Sequence, residues 1–318
     1  MHLLSLITAS AAFLVPALAR PASSGLASRQ AASSIYKLPG SAWIENLVIR
    51  PNGQLLLARL DVPELWSYDP ATKAGTQVVG FTDALSLTGI TEVSPDVYAV
   101  VTGNFSTRGF SVKAGSWAVW TVDLTGAAPK ATQVKLVPES GFFIGVAPLD
   151  KSNILIADAA KATLYQMNLG TGAYSVVLTD ASMKAPAQGG LVEGIHGLKY
   201  ANGTAYFTNT FGGGFYKVPI AFDATTGKAS AATAAKPAEI AALTMAEDFI
   251  LAPDGSGSYY VAQPNANAVT KITPDGKSSK AATAASCSSV AFGRGASDKN
   301  VLYIATTNGA VFSATIAQ

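Results

Sequence analysis

Glu45-Asn46-Leu47-Val48-Ile49-Arg50-Pro51-Asn52-Gly53-Gln54-Leu55-Leu56-Leu57-Ala58-Arg59 reads as a strand, a tight turn and a second strand. Pro51, Asn52 and Gly53 supply the turn, Pro by fixing φ and Gly by tolerating positive φ. After a break at Pro63 come Leu65-Trp66-Ser67-Tyr68-Asp69 and Gln77-Val78-Val79-Gly80-Phe81, two more short apolar segments with turn residues between them. The unit is four short antiparallel strands.

The unit recurs roughly every fifty residues. A second copy carries Thr88-Gly89-Ile90, the turn Ser94-Pro95-Asp96, and strands over 98–102 and 117–122. A third runs through 142–147, Ile154-Leu155-Ile156-Ala157-Asp158 and Leu164-Tyr165-Gln166-Met167. The fourth has His196-Gly197-Leu198-Lys199-Tyr200, Asn202-Gly203 and Phe215-Tyr216-Lys217-Val218. The fifth has Asp248-Phe249-Ile250-Leu251, Pro253-Asp254-Gly255 and Tyr259-Tyr260-Val261-Ala262-Gln263. The sixth has Ser288-Ser289-Val290-Ala291-Phe292 and segments over 301–306 and 311–313. One such unit cannot bury both its faces, so six must stack around an axis and close. The expected fold is all-β, a six-bladed β-propeller over 35–318, with Ile35-Tyr36-Lys37-Leu38 completing the last blade and hiding its edge. The Ala-rich stretch 229–242 contains Lys236-Pro237 and is expected to be a loop.

Composition narrows the function. Of 318 residues 13% are charged and 49% hydrophobic, and Lys+Arg 22 against Asp+Glu 20 gives a net charge of +2. No cationic surplus exists to displace counterions from phosphates, so nucleic acid is not an expected partner. One cysteine, Cys287, excludes an internal disulfide framework and reads as a buried small hydrophobe, and two histidines exclude a multi-histidine metal site. Length alone suggests about two domains, which the repeat reduces to one.

Residues 1–19 read as a signal peptide, an apolar run ending in Ala17-Leu18-Ala19. The run is too short for a stable membrane span, and 20–34 reads as a disordered spacer. A secreted or secretory-pathway monomer is expected, with N-glycan sequons at Asn104 and Asn202.

The innermost strand of each blade lines the axis, and the residues at its start ring one mouth. That register places Glu45, Thr88, Ile144 (or Phe143), His196, Asp248 and Ser288 in the ring. Arg59, Thr102, Asp158, Asn209, Gln263 and Thr306 end the next strands. A one-residue slip in any blade would turn its side chain away. Two carboxylates and His196 in one ring suit either a hard cation or an acid–base pair; inter-blade hydrogen bonding is the purely structural alternative. Phe142, Phe143 and Phe211, at strand ends beside glycines, are candidates for an apolar pocket wall.

With Glu45, Pro51-Asn52-Gly53, His196-Gly197-Leu198 and 248–255 in these places, the chain resembles the gluconolactonase, senescence-marker and strictosidine-synthase-like propellers. The run 43–56 followed by Pro63-Glu64-Leu65-Trp66 is similar to a fungal secretory branch whose members include hetero-Diels–Alderases of natural-product pathways. That resemblance implies a hydrophobic small-molecule substrate and no cofactor. His196, Arg59 and Thr88 would donate hydrogen bonds to substrate oxygen, and Phe142, Phe143, Phe211, Asn209 and Gln263 would contact the substrate. The lactonase branch implies instead Ca²⁺ or another divalent cation on Glu45 and Asp248, with His196 standing where that branch has an asparagine. A non-catalytic binding propeller is the third expectation.

Overall fold

The Pro51-Asn52-Gly53 turn forms as its residues dictate. The Gly53 N–H donates to the Arg50 carbonyl at 3.0 Å, and Gly53 takes φ 86°. It joins Ile44–Ile49 to Leu55–Arg59, and Glu64–Asp69 and Ala74–Gly80 complete the first antiparallel sheet. A computed structural model describes residues 31–231 and 236–317; the expected signal peptide lies outside these residues. Six sheets follow one another along the chain, five of four strands and the fourth of five, with inner strands Ile44–Ile49, Ser86–Ser94, Phe143–Pro148, Ile195–Ala201, Phe249–Leu251 and Cys287–Phe292. These are blades 1 to 6 of a closed propeller.

The ring closes through the N-terminus. Ser33–Lys37 pairs antiparallel with Ala310–Thr315 and becomes the outer strand of blade 6. Tyr36 then stacks on Tyr68 of blade 1 at 4.4 Å, and the Tyr68 hydroxyl donates to the Ile35 carbonyl at 3.0 Å. Ser33 and Ser34, assigned to the spacer from sequence, belong to this strand, and Ala31 bridges Thr283. The stretch expected to be a loop contains two short strands, Lys228–Ala231 and Ala238–Ala241. Both pair with Phe215–Asp223, so the outer edge of blade 4 is divided between them. Pro237 stands just before the second strand, where its missing N–H breaks no ladder bond.

Five of the six inner strands share one irregularity that shapes the axial site. Pairing with the next strand shifts register between Ile44 and Asn46, Leu87 and Ile90, Phe143 and Val146, Ile195 and Leu198, and Cys287 and Ser289. Each bulge re-aims the residues inside it, among them Glu45, Thr88, Ile144, His196 and Ser288. In three blades the next residue is glycine, at 89, 145 and 197, because the neighbouring inner strand passes against it. A Cβ on Gly145 would collide with the His196 carbonyl, and one on Gly197 would stand 2.8 Å from Asp248 Cα. Hydroxyls sew the same seams: Thr88 Oγ1 to the Phe143 carbonyl at 3.0 Å, Thr208 Oγ1 to Glu247 at 2.6 Å, and Ser288 Oγ to Ile44 at 2.6 Å. The apolar core lies between blades, its largest cluster including Trp117, Phe142, Phe143 and Phe207.

Candidate functional site

His196 is 2% exposed, held in the bulge of blade 4's inner strand. Three carboxylates converge on its Nε2: Glu247 Oε2 at 3.0 Å, Glu45 Oε1 at 3.3 Å and Glu193 Oε1 at 3.4 Å. They come from different parts of the ring. Glu45 sits in the bulge of blade 1, on the opposite side of the axis. Glu193 is carried on a loop fixed by Thr210 and Phe211, whose N–H groups donate to the Gly194 and Glu193 carbonyls at 3.0 and 2.9 Å. Glu247 precedes the inner strand of blade 5. Its N–H donates to the Ala262 carbonyl, while the Ala262 N–H donates to Asp248. Ala262 therefore serves two consecutive residues, and their side chains leave in opposite directions.

Burial alone would push the His196 imidazole down, but the Glu247 charge and the close approach of the Glu193, Glu247 and Glu45 carboxylates outweigh it. The imidazole is held well above its ordinary 6.5. Burial pushes the Glu247 carboxyl up to about 7; His196 opposes this, and the Glu193 and Glu45 charges add to it. Glu45 Oε2 accepts from the Trp43 indole N–H at 3.0 Å. Glu45 Oε1 and both His196 ring nitrogens are buried without an aligned hydrogen bond.

Above the cluster lies a cavity of about 300 Å³ at one mouth of the channel. Glu45, Glu193 and Glu247 form its polar floor, and Trp43, Phe105, Phe110, Phe142 and Phe211 supply aromatic walls. Phe105 and Phe110 come from a short hairpin over 105–112, with Phe110 48% exposed at the rim. A second cavity, about 350 Å³, opens at the opposite mouth beside Lys199 and Arg294. Its charges are paired, Lys199 to Asp248 at 2.6 Å and Arg294 to Glu92 at 2.5 Å.

Of the residues singled out from sequence, the first cavity brings together Glu45, Phe142 and Phe211, with His196 buried beneath its floor. Asp248 takes other partners: Oδ1 binds Lys199 and Oδ2 accepts from Ser289 Oγ at 2.8 Å. Arg59 is not in the cavity, because its guanidinium is bound by Asp61 at 2.5 Å and Glu64 at 3.0 Å. Thr88 gives its proton to the Phe143 carbonyl. Phe143 packs on Tyr165 at 5.4 Å, inside the blade core rather than on the wall. Asn209 donates to the Ser182 and Lys184 carbonyls at 2.8 and 2.7 Å. Gln263 donates to Thr244 at 2.8 Å and accepts from Thr270 at 2.6 Å. Asn202 is exposed in a hairpin turn at φ 50°, and Asn104 is half-buried.

Glu193 and Glu247 escaped the sequence reading. Glu193 sits three residues before His196, and Glu247 directly precedes the residue selected for the ring. Glu45, His196 and Glu247 offer ligand atoms all within 4.8 Å of one another, a set of oxygen and nitrogen donors compact enough for one divalent ion.

No family model matches the chain. It is 28% identical over 308 residues to a Phoma protein named as a hetero-Diels-Alderase, covering 85% of both chains. It is also 28% identical to a Sarocladium schorii protein of the same designation, over 58% of this chain and 53% of that one. Among solved structures, a luciferin-regenerating enzyme superposes with a TM-score of 0.62 at 15% identity, covering 90% of this chain and 95% of that one. The major Malassezia sympodialis allergen Mala s 1 gives 0.61 at 13%, over 86% and 92%. Virginiamycin B lyase from Staphylococcus aureus gives 0.57 at 9%, over 90% and 99%. These structural likenesses share the fold. No helix among the described residues is long and apolar enough to cross a membrane. The chain is a six-bladed β-propeller whose sequence relatives are proteins named hetero-Diels-Alderases.

Proposed function

We propose that the mouth cavity binds a hydrophobic small molecule and promotes a cyclisation of the hetero-Diels–Alder kind. The observation that carries this reading is an aromatic-walled cavity laid directly over a buried proton-sharing cluster. A hetero-Diels–Alder reaction closes a ring in one concerted step, forming two σ bonds and losing no atom. It asks the protein for two things. The walls orient diene and alkene, which removes much of the entropic barrier. A donor at the reacting heteroatom stabilises the charge that grows there. Glu247 is suited to that task, because at a pKa of about 7 it retains its proton part of the time near neutrality. His196 lies beneath the floor and acts on the carboxyls rather than on substrate.

The test is stereochemical. An ortho-quinone methide generated in solution in the presence of an alkene gives racemic adduct without a template. The protein is expected to give one enantiomer in excess, and Phe142→Ala is expected to abolish the excess. Racemic product at every protein concentration would contradict the reading.

A second reading is favoured by the convergence of Glu45, His196 and Glu247 on one point. These residues would hold a divalent cation, which when bound supplies a Lewis acid for a lactone carbonyl. The chain's own part would be to fix the carboxylates and keep the aromatic walls dry. Retention of a stoichiometric divalent ion after dialysis, lost in Glu247→Gln, is the result this reading requires.

A further inference from the structure

We infer that the cavity at the opposite mouth is a second ligand site, one that takes a small carboxylic acid with an apolar body. It shares no lining residue with the first cavity, so its occupancy does not depend on the function proposed for the first. Apolar side chains from four blades, among them Leu47, Ile90, Leu251, Val290 and Phe292, enclose about 350 Å³. The ionisable residues in that lining are Glu92, Lys199 and Arg294, two cations to one carboxylate. Apolar walls with a few polar groups are the usual make-up of a small-molecule site.

The acids around this mouth are fully engaged, whereas the cations are not. Glu92 Oε1 accepts from the Asp96 N–H at 3.0 Å, and Oε2 accepts from Arg294 Nη1 at 2.5 Å. The buried Asp248 gives Oδ1 to Lys199 and Oδ2 to Ser289. Asp96 of blade 2 is held by Arg50 at 3.0 and 3.2 Å. The Arg294 side chain is 43% exposed. Its Nη1 serves Glu92 and the Ile49 carbonyl, and its Nε and Nη2 donate to no group among the described residues. Lys199 Nζ has spare hydrogens beyond the one given to Asp248. The mouth therefore offers donors without acceptors. A carboxylate supplies a pair of oxygens for the free guanidinium edge, while its carbon body covers the apolar walls. An ammonium would meet only carboxylates already bound, and a neutral body would leave the Arg294 edge to water. Glu92 is the built-in competitor, since its charge neutralises Arg294 and opposes a second anion beside it.

Calorimetric titration at pH 7.5 with three probes of one skeleton tests this: 4-phenylbutyrate, 4-phenyl-1-butanol and 4-phenylbutylamine. The acid is expected to bind about tenfold tighter than the alcohol or better at low salt, and to lose that margin as salt is raised. Arg294→Gln should bring the acid down to the level of the alcohol. Glu92→Gln removes the competing charge and should raise acid affinity by about threefold or more, a gain that misfolding does not produce. Phe110→Ala, at the rim of the first cavity, should leave acid binding unchanged, which tells failure of the first site from failure of the second. Acid binding no tighter than alcohol binding, or tightest binding by the amine, would overturn the inference. Acid binding that survives Arg294→Gln and is lost in Phe110→Ala would also overturn it, placing the ligand at the other mouth.

Discussion

His196 faces three carboxylates with one Nε2 hydrogen to offer, and the cluster's pH behaviour follows. Both perturbed groups bind protons more tightly in the folded state than in the unfolded chain. Glu247 rises from 4.5 to about 7 and His196 rises above 6.5. Wherever the folded state holds more protons, stability falls as pH rises. The Glu247 contribution is complete below about pH 4.5 and is lost as pH climbs to about 7; the His196 contribution is complete below about pH 6.5 and is lost above that. At about 1.4 kcal/mol per pH unit, Glu247 accounts for at most about 3 kcal/mol. Glu247→Gln is expected to flatten the fall between pH 4.5 and 7, measured by denaturant unfolding at several pH values; an unchanged slope would show that Glu247 titrates normally. Glu45 and His196 were legible in sequence because each opens a repeat at the same register. Glu247 was not, because a shared backbone partner, Ala262, sends two successive side chains in opposite directions, and no local residue pattern marks that event.

The element that builds the site is the bulged inner strand, and its glycines hold the blades at contact distance. A methyl group on Gly145 meets the backbone carbonyl of His196 and comes within 3.0 Å of Leu198, so blade 4 would have to retreat. Gly145→Ala is expected to cost about 2–3 kcal/mol by denaturant unfolding. Gly126, with ordinary φ and only the Ala128 carbonyl nearby at 3.7 Å, is the control. Gly126→Ala should stay within about 0.5 kcal/mol. Equal effects would mean that the seam between blades 3 and 4 has slack. The Thr88-Gly89, His196-Gly197 and Ser288-Ser289 pairs are visible in sequence, yet their role depends on the neighbouring blade. Arg59, Asn209 and Gln263 end strands likewise, and a polar side chain there has the same local appearance whether it faces a ligand or another group of the protein.

For the whole molecule, closure depends on a strand distant in sequence from the sheet it completes. Ser33–Lys37 joins Ala310–Thr315, and Tyr36 carries the joint over to Tyr68 of blade 1. Tyr36→Ala is expected to lower stability by about 2 kcal/mol, measured by chemical denaturation, and to increase hydrogen exchange first in Ala310–Thr315. Loss of stability with exchange unchanged in that strand would argue against a clasp. The blade count and this closure were readable from spacing and turn residues, since one repeated strand grammar admits few architectures. Which mouth carries the clustered carboxylates was not, because it depends on charge pairing across the axis: Lys199 neutralises Asp248 on one side, and three glutamates share His196 on the other.

That charge arrangement is the central claim, and imidazole nitrogen resonances test it directly, since His196 and His2 are the only histidines. A ¹H–¹⁵N spectrum followed across pH should show the His196 imidazole holding its proton well above the ordinary 6.5. A His196 titrating near 6.5 would contradict the account.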